Sequence, residues 1–367
     1  DQIVLVDYAR TWGTYSVFIN SNGLNFQGQD DTYTVEYSTS GATVNIVYSG
    51  ATKGWTPISD DVVTDAPSPP TTQKAIMLFG SADNGATAVS TGNLISSSGV
   101  VASDTSTAAT AILMTGAATY GFDKGIWAYG DNGSTGGNVN TNTRTLVSNA
   151  GVVASTVSGA GTARSGSSGA EYGTSGQAII AFGYSTTGVN ISNLVSNVGV
   201  VASDGTGVGT ARYYTASGRY GVGLAIFGYG QNNAGNPVSL TNKVSSSGVV
   251  ASDTTGVGTA GFARSFSEYG DGLGMFGFGN NSGYSNQTNR VSNTGVVASN
   301  GQAAGTGRMD GSGSSYGGNK GIFGFGYNGS ALGVTNLVSS AGVVASDTSA
   351  VGAARAKGEM VGYSNSA

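Results

Sequence analysis

The stretch Ala211-Arg212-Tyr213-Tyr214-Thr215-Ala216-Ser217-Gly218-Arg219-Tyr220-Gly221, with Leu224-Ala225-Ile226-Phe227-Gly228-Tyr229-Gly230 and then Gly248-Val249-Val250-Ala251-Ser252 behind it, holds one full unit of a recurring pattern. The string Gly-Val-Val-Ala-Ser begins at Gly99, Gly151, Gly199, Gly248, Gly295 and Gly342, in steps of 52, 48, 49, 47 and 47 residues. Ahead of each copy an apolar run ends in an aromatic-Gly pair: Phe79-Gly80, Tyr129-Gly130, Phe182-Gly183, Tyr229-Gly230, Phe278-Gly279 and Phe325-Gly326. Thirteen residues past the Gly of the string stands Arg164, Arg212, Arg308 or Arg355; a small insertion displaces one arginine to Arg264, and the first copy has Ile112. A Tyr follows in turn, at 120, 172, 220, 269, 316 and 363.

One unit reads as four short strands, Arg212–Tyr220, Leu224–Gly228, Leu240–Val244 and Val249–Ser252, separated by Gly-, Asn- and Ser-rich turns. Four strands in about 48 residues, six times over, is the arithmetic of a six-bladed β-propeller. Residues 355–363 form an Arg…Tyr strand with no apolar strand after it, whereas Lys74–Gly80 is an apolar strand with no Arg…Tyr strand before it. The C-terminal strand is therefore expected to complete the first blade and to hide an otherwise open edge.

Composition agrees with an all-β chain. Of 367 residues, 63 are Gly and only 10% are charged, against usual values of about 7% and 25%. Helical bundles and coiled coils need more charge and less glycine, and 5 prolines without a Gly-X-Y period exclude collagen. The 18 Tyr, 12 Phe and 3 Trp recur in apolar clusters, unlike a disordered chain. Absence of Cys and His removes thiolate chemistry, zinc-cysteine sites and the commonest general base. No apolar run reaches the roughly 18 residues of a membrane span. With neither an initiator Met nor a signal peptide ahead of Asp1, a processed product or a piece of something longer is expected.

Residues 1–57 differ: Val4–Tyr8, Tyr15–Ile19, Thr32–Tyr37 and Val44–Tyr48 cluster β-formers around turns at Asn22-Gly23 and Ser40-Gly41. They read as a small β module with a marginal core, suited to assembly or attachment. Residues 58–73, with Pro67-Ser68-Pro69-Pro70, read as an extended linker, and residues 74–367 as the propeller. The first 73 residues carry a balance of −6, the remainder about +1, and the arginines come one per blade, so nucleic acid is not an expected partner.

Units such as Ala211-Arg212…Tyr220-Gly221…Ala225-Ile226-Phe227-Gly228 resemble a divergent kelch repeat over residues 74–367, although the Gly-Gly pair and blade Trp of kelch are missing. The Ile-Phe-Gly-Phe-Gly and Gly-Val-Val-Ala-Ser repeats also resemble those of tailed-phage structural proteins, especially tail fibres, and residues 1–57 are similar to short β modules of fibres and baseplates. Those resemblances imply a virion or other extracellular structural protein, with the first module assembling with itself or other virion proteins and the propeller facing a host-surface glycan or protein.

The arginines Arg164, Arg212, Arg264, Arg308 and Arg355 recur on schedule, so they read as structural donors to neighbouring-blade carbonyls. Sialidases, six-bladed enzymes that gather arginines around a carboxylate, are resembled only loosely through Ser203-Asp204-Gly205-Thr206-Gly207. Glu171 and Glu268 share one blade position, and no off-pattern acid pair suggests a hydrolase. Asp104, Asp204, Asp253 and Asp347 share a turn position with Thr156 and Asn300 and read as Asx-turn caps, with oxygen-only Ca²⁺ binding as the other reading. No catalytic residue, metal site or cofactor is assigned. Binding candidates are the loop residues Tyr229, Asn232, Asn233, Tyr284, Asn286, Tyr327 and Asn328, whose amides and aromatic faces suit sugars. The favoured function is non-enzymatic; a secreted lectin or adhesin, and a glycan-cleaving hydrolase, are the alternatives.

Overall fold

A computed structural model describes residues 1–28, 35–59, 71–83, 87–133, 139–349 and 352–366. The protein is all-β and divides into two units, Asp1–Ser68 and Pro69–Ala367. Among the described residues no helix is long and apolar enough to cross a membrane. Most of the expected linker, residues 60–70, lies outside the described residues.

In the first unit β1 (Gln2–Val6), β4 (Thr43–Tyr48) and β5 (Trp55–Ser59) form one antiparallel sheet in the order β1-β4-β5; β2 (Val17–Ile19) and β3 (Val35–Tyr37) form another. Phe26, Val35, Val44 and Ile46 are its buried core. The expected strand Val4–Tyr8 stops at Val6, because the buried Asp7 carboxylate accepts from the backbone N–H groups of Thr11, Trp12 and Gly41 and turns the chain. Strand β5 runs past the boundary expected at residue 57, and the expected start at Thr32 lies outside the described residues.

Among the described residues the second unit contains six antiparallel sheets of three or four strands and one two-stranded pair. Sheet I joins β29 (Glu359–Tyr363) to β6 (Lys74–Leu78), β7 (Thr91–Ile95) and β8 (Thr105–Ser106). Sheet II is β9 (Gly116–Tyr120), β10 (Lys124–Asp131), β11 (Asn140–Val147) and β12 (Val157–Ser158); sheet III is β13 (Ser168–Tyr172), β14 (Gln177–Ala181) and β15 (Ser192–Val195). Sheet IV is β17 (Ala216–Tyr220), β18 (Leu224–Gly228) and β20 (Thr241–Val244), with a small pair, β16 (Arg212–Tyr213) and β19 (Gln231–Asn232), beside it. Sheet V is β21 (Ser265–Tyr269), β22 (Leu273–Gly277), β23 (Gln287–Val291) and β24 (Gly301–Gln302); sheet VI is β25 (Ser312–Tyr316), β26 (Lys320–Gly324), β27 (Val334–Val338) and β28 (Thr348–Ser349). The C-terminal strand thus pairs with the first strand of the unit, Glu359 opposite Leu78 and Tyr363 opposite Lys74.

Consecutive sheets share hydrophobic clusters. Ile126, Tyr129, Ile180 and Val195 join II to III, Ile226, Tyr229, Phe266 and Phe276 join IV to V, and Met77, Ile95, Tyr316 and Phe325 join VI to I. Each repeat Tyr lies against the Gly of the next sheet's Gly-Val-Val-Ala-Ser string. A Cβ on Gly199, Gly248, Gly295 or Gly342 would stand 2.6–3.1 Å from the ring of Tyr120, Tyr172, Tyr220 or Tyr269.

Two expectations are corrected. Gly-Val-Val-Ala-Ser is a tight hairpin turn with one following bridge, such as Val244 to Val250, rather than a strand. Its first Val is exposed, and the fourth strand comes later as two residues, or as a single bridge in III and IV. The expected strand Arg212–Tyr220 is broken at Tyr214, whose φ is 53°. Its equivalents Met114, Gly166, Ala263, Asp310 and Lys357 also have positive φ, and each turns its N–H to the preceding sheet. The bonds run Gly166 to Met114, Tyr214 to Gly166, Ala263 to Tyr214, Asp310 to Ala263, Lys357 to Asp310 and Met114 back to Lys357, at 2.8–3.1 Å.

The aromatic-Gly pairs have a related cause. Six aromatics with φ of 57–68° precede glycines with φ of 101–117°. A Cβ on any of these glycines would come within 2.7–2.9 Å of a connector carbonyl, as Gly183 would to Ser165 O. Gly183→Ala should therefore lower stability by roughly 2 kcal/mol or more in urea denaturation. Gly235→Ala, at φ 79° with open space around it, should cost only about 1 kcal/mol.

Candidate functional site

The loops after the second strands and the connectors that carry the arginines lie at one end of the sheets, where they bridge each other, as Ser165 with Tyr184 and Met309 with Tyr327. Arg164, Arg212, Arg308 and Arg355 are almost wholly buried there, and Arg264 nearly so. Arg164 donates from Nε to Phe182 O (2.8 Å) and from Nη2 to Asn193 Oδ1 (2.7 Å), while its guanidinium lies 3.7 Å over the Tyr129 ring. Phe182 and Asn193 belong to the arginine's own sheet and Tyr129 to the preceding one. This corrects the expected bonding to neighbouring carbonyls: the polar donors face home, and the cation–π face spans the joint. Arg212 repeats the pattern on Tyr229 O, Asn242 and the Phe182 ring, Arg308 on Asn336 and the Phe278 ring. Arg264 repeats it on Asn289 and the Tyr229 ring, and Arg355 on Asn93 and the Phe325 ring.

The asparagine partners are residues that the motif reading passed over. Asn93, Asn193, Asn242, Asn289 and Asn336 stand six positions before the Gly of each string, a spacing as regular as that of the arginines. Each donates onward: Asn193 Nδ2 to Asp204, Asn242 Nδ2 to Asp253, Asn336 Nδ2 to Asp347. The aspartates are not Asx-turn caps. Asp204 receives Thr162 N and Oγ1 across more than forty residues, and Asp253 receives Thr210 likewise. Burial raises the Asp204 and Asp253 pKa values, but the threonine and asparagine hydrogen bonds and the nearby arginine outweigh it, and both end lowered. Among the described residues no group of three acids could hold a metal ion.

Sheet II lacks the charged node and keeps only its backbone bond, Thr110 N to Thr156 Oγ1 at 2.9 Å. Ile112 replaces the arginine, Thr145 the asparagine and Thr156 the aspartate, and the two threonine hydroxyls bond each other at 2.8 Å.

The structure separates the loop candidates. Tyr229 is fully buried, its OH donating to Val257 O beneath Arg264. Its positive φ turns the ring inward, so it is no recognition residue. Asn232 accepts Ala234 N and Asn236 N within its own turn; Asn233 is tied to both Gly188 N and O of sheet III; Asn286 donates to Ala303 O and Gly305 O. Tyr284, 44% exposed, packs edge-on to Tyr327 at 6.0 Å, beside the half-buried Asn328. An unforeseen row crosses three sheets at this end: Tyr184, 40% exposed, meets Tyr213 at 5.1 Å, Tyr213 meets Tyr214 at 5.0 Å, and Tyr214 meets Phe262 at 6.3 Å. The adjacent pair Tyr213-Tyr214 after Arg212 was its signal in the sequence.

No protein-family model matches the chain, and no curated protein does.

Residues at or beside the first strands of the six sheets line a cavity of about 70 Å³. Arg219 bridges two carboxylates on its wall, Glu171 at 3.0 Å and Glu268 at 3.6 Å. Glu359, on the same wall, receives Ser312 Oγ at 2.8 Å. Burial pushes Glu359 up to about 8, Ser312 opposing and Asp310 adding to it; burial pushes Glu171 up to about 7 against the pull of Arg219.

Two outcomes follow from this chemistry. Arg212→Ile should lower stability by about 3–5 kcal/mol by stranding a buried partner set, and adding Asn242→Thr and Asp253→Thr, the solution of sheet II, should restore most of it in urea denaturation. Glu359 and Glu171 hold protons in the folded protein that they lose when unfolded, so their contribution is complete below the ordinary value of 4.5 and fades as pH rises towards about 8. Thermal melts should therefore show stability falling from pH 5 to pH 8, with a shallower fall in Glu359→Gln.

Proposed function

We propose that the six sheets are the blades of a six-bladed β-propeller whose first blade is completed by β29, and that the protein is a non-enzymatic structural and binding component. The closed succession of backbone hydrogen bonds from Met114 through Lys357 supports the architecture. The observation that carries the functional reading is the aromatic row Tyr184–Tyr213–Tyr214–Phe262 at the loop end, bordered by Asn and Gly loops. Aromatic faces cover the apolar side of a sugar ring while amides meet its hydroxyls. The repeats' resemblance to tailed-phage fibres favours a tail-fibre or appendage component in a virion or another extracellular setting. Its first unit would assemble, and its loops would meet a host-surface glycan or a partner protein.

A secreted lectin or adhesin would use the same row. The hydrolase reading is the weakest, because the carboxylates on the cavity wall are engaged by Arg219 and Ser312, and about 70 Å³ is far below the roughly 300 Å³ of the smallest ligand sites.

Class averages from electron microscopy should show six lobes, and five or seven would overturn the architecture. On a glycan array the full chain should bind at least one oligosaccharide class, with affinity lowered about tenfold by Tyr184→Ala, in line with one lost stacking contact of about 1.4 kcal/mol. Binding indifferent to both Tyr184→Ala and Tyr213→Ala would remove the row from the recognition surface.

A further inference from the structure

The first unit offers an unused strand edge. The bonds Tyr48 N to Asp1 O and Asp7 N to Ala42 O fix the phase of the β1–β4 ladder, so Ile3 and Leu5 also direct their backbone groups to β4. Gln2, Val4 and Val6 therefore direct N–H and C=O groups to the opposite edge, where no strand lies among the described residues. Among the described residues only Val6 O has a partner there, Tyr8 N. The strand carries no charge, proline or bulge, the usual devices that blunt such an edge. It is apolar on both faces, with Ile3 41%, Val4 54% and Val6 53% exposed.

We infer that β1 is the assembly strand of the first unit, pairing antiparallel with β1 of a second copy about Val4 and joining two three-stranded sheets into one. This rests on the reading that the first unit assembles. A copy fits this edge for three reasons. About a dyad at Val4, Gln2 meets Val6 of the other copy and Val4 meets Val4, so the Val4 groups pair with each other, Val6 N–H finds Gln2 O, and Gln2 N–H reaches the second lone pair of Val6 O beside Tyr8 N. Ile3 meets Leu5 on the other face, apolar against apolar. The first 73 residues carry a balance of −6, so two copies repel unless they approach along an uncharged strip. Asp7 falls opposite Asp1 in this register, but its carboxylate is buried on Thr11, Trp12 and Gly41 and lies away from the seam.

The absence of cysteine makes the register testable in the full chain. In a hydrogen-bonded antiparallel pair the two Val4 Cα atoms would lie about 5.5 Å apart, within disulfide range. Under a mild thiol oxidant, Val4→Cys should give a covalent dimer at least tenfold faster than Ile3→Cys or Val100→Cys, the last an exposed position in the second unit. Sedimentation equilibrium should show the unmodified chain as a dimer or a multiple of one, and Val4→Pro, which deletes a central donor, as its half. An oligomer unaffected by Val4→Pro, or cross-linked no faster at position 4 than at position 100, overturns the edge pairing and leaves assembly standing. A monomer at tens of micromolar overturns both.

Discussion

Six backbone hydrogen bonds, each handed from one sheet to the sheet before it, constrain everything else in the second unit. To make them, the chain at Met114, Gly166, Tyr214, Ala263, Asp310 and Lys357 enters the left-handed region, and five of these residues are not glycine. Such positions cost about 1–3 kcal/mol each and persist only where the surroundings over-determine them. The surroundings here are the buried arginine two residues earlier, next door in the case of Arg264 and replaced by the buried Ile112 before Met114, and the aromatic-Gly pair that each connector crosses. The high glycine content follows from that geometry. Connectors, second strands and neighbouring turns approach so closely that a Cβ at Gly80, Gly130 or Gly326 would meet a carbonyl oxygen.

The arginine nodes are best understood through the sheet that lacks one. In sheet II, Ile112, Thr145 and Thr156 fill the place of arginine, asparagine and aspartate, with Ile112 in the same cluster as Phe79 and Trp127. All three positions differ together from the other sheets, as expected if a partial node strands a buried charge or amide. One chain thus holds both solutions, so the node is not needed for a sheet to form. Its contribution is direction. A planar guanidinium bound to one sheet and stacked on the ring of the previous sheet fixes the joint between them in a way that a methyl group does not. Sheet I carries a node whose arginine and asparagine are 262 residues apart, which places this directional element where the two ends of the unit meet.

The repeat period, the six apolar second strands and the pairing of the C-terminal strand with Lys74–Leu78 were legible because each rests on apolar periodicity and on turn glycines. The errors fall where backbone conformation departs from what residue type suggests. Tyr229-Gly230 looks like the start of a loop, yet a left-handed tyrosine sends its ring inward. Gly-Val-Val-Ala-Ser has the composition of a strand, yet its Gly closes a turn and its first Val faces solvent. Strand β5 has no strand signal of its own, since Pro57 interrupts it, although a sheet's edge strand tolerates proline. The asparagines at minus six were as visible as the arginines, but an amide on a strand has no strong prior of its own. Only the buried guanidinium beside it gives it meaning.

Within the second unit, ionisable groups are spent on holding the sheets. Arginines are stacked and bonded, four aspartates close nodes, and Glu171 and Glu268 share Arg219. What varies between sheets is the loop after the second strand and the residue in the left-handed position, which is Met, Gly, Tyr, Ala, Asp or Lys in turn. A scaffold that fixes its backbone through main-chain bonds leaves the identity of that residue free to vary, since the bond is made whatever the side chain. Tyr214 occupies one such position and stands in the middle of the aromatic row, between Tyr213 and Phe262. The strongest structural constraint and the most variable side chains therefore coincide at one end of the sheets, the arrangement that the proposed binding role calls for.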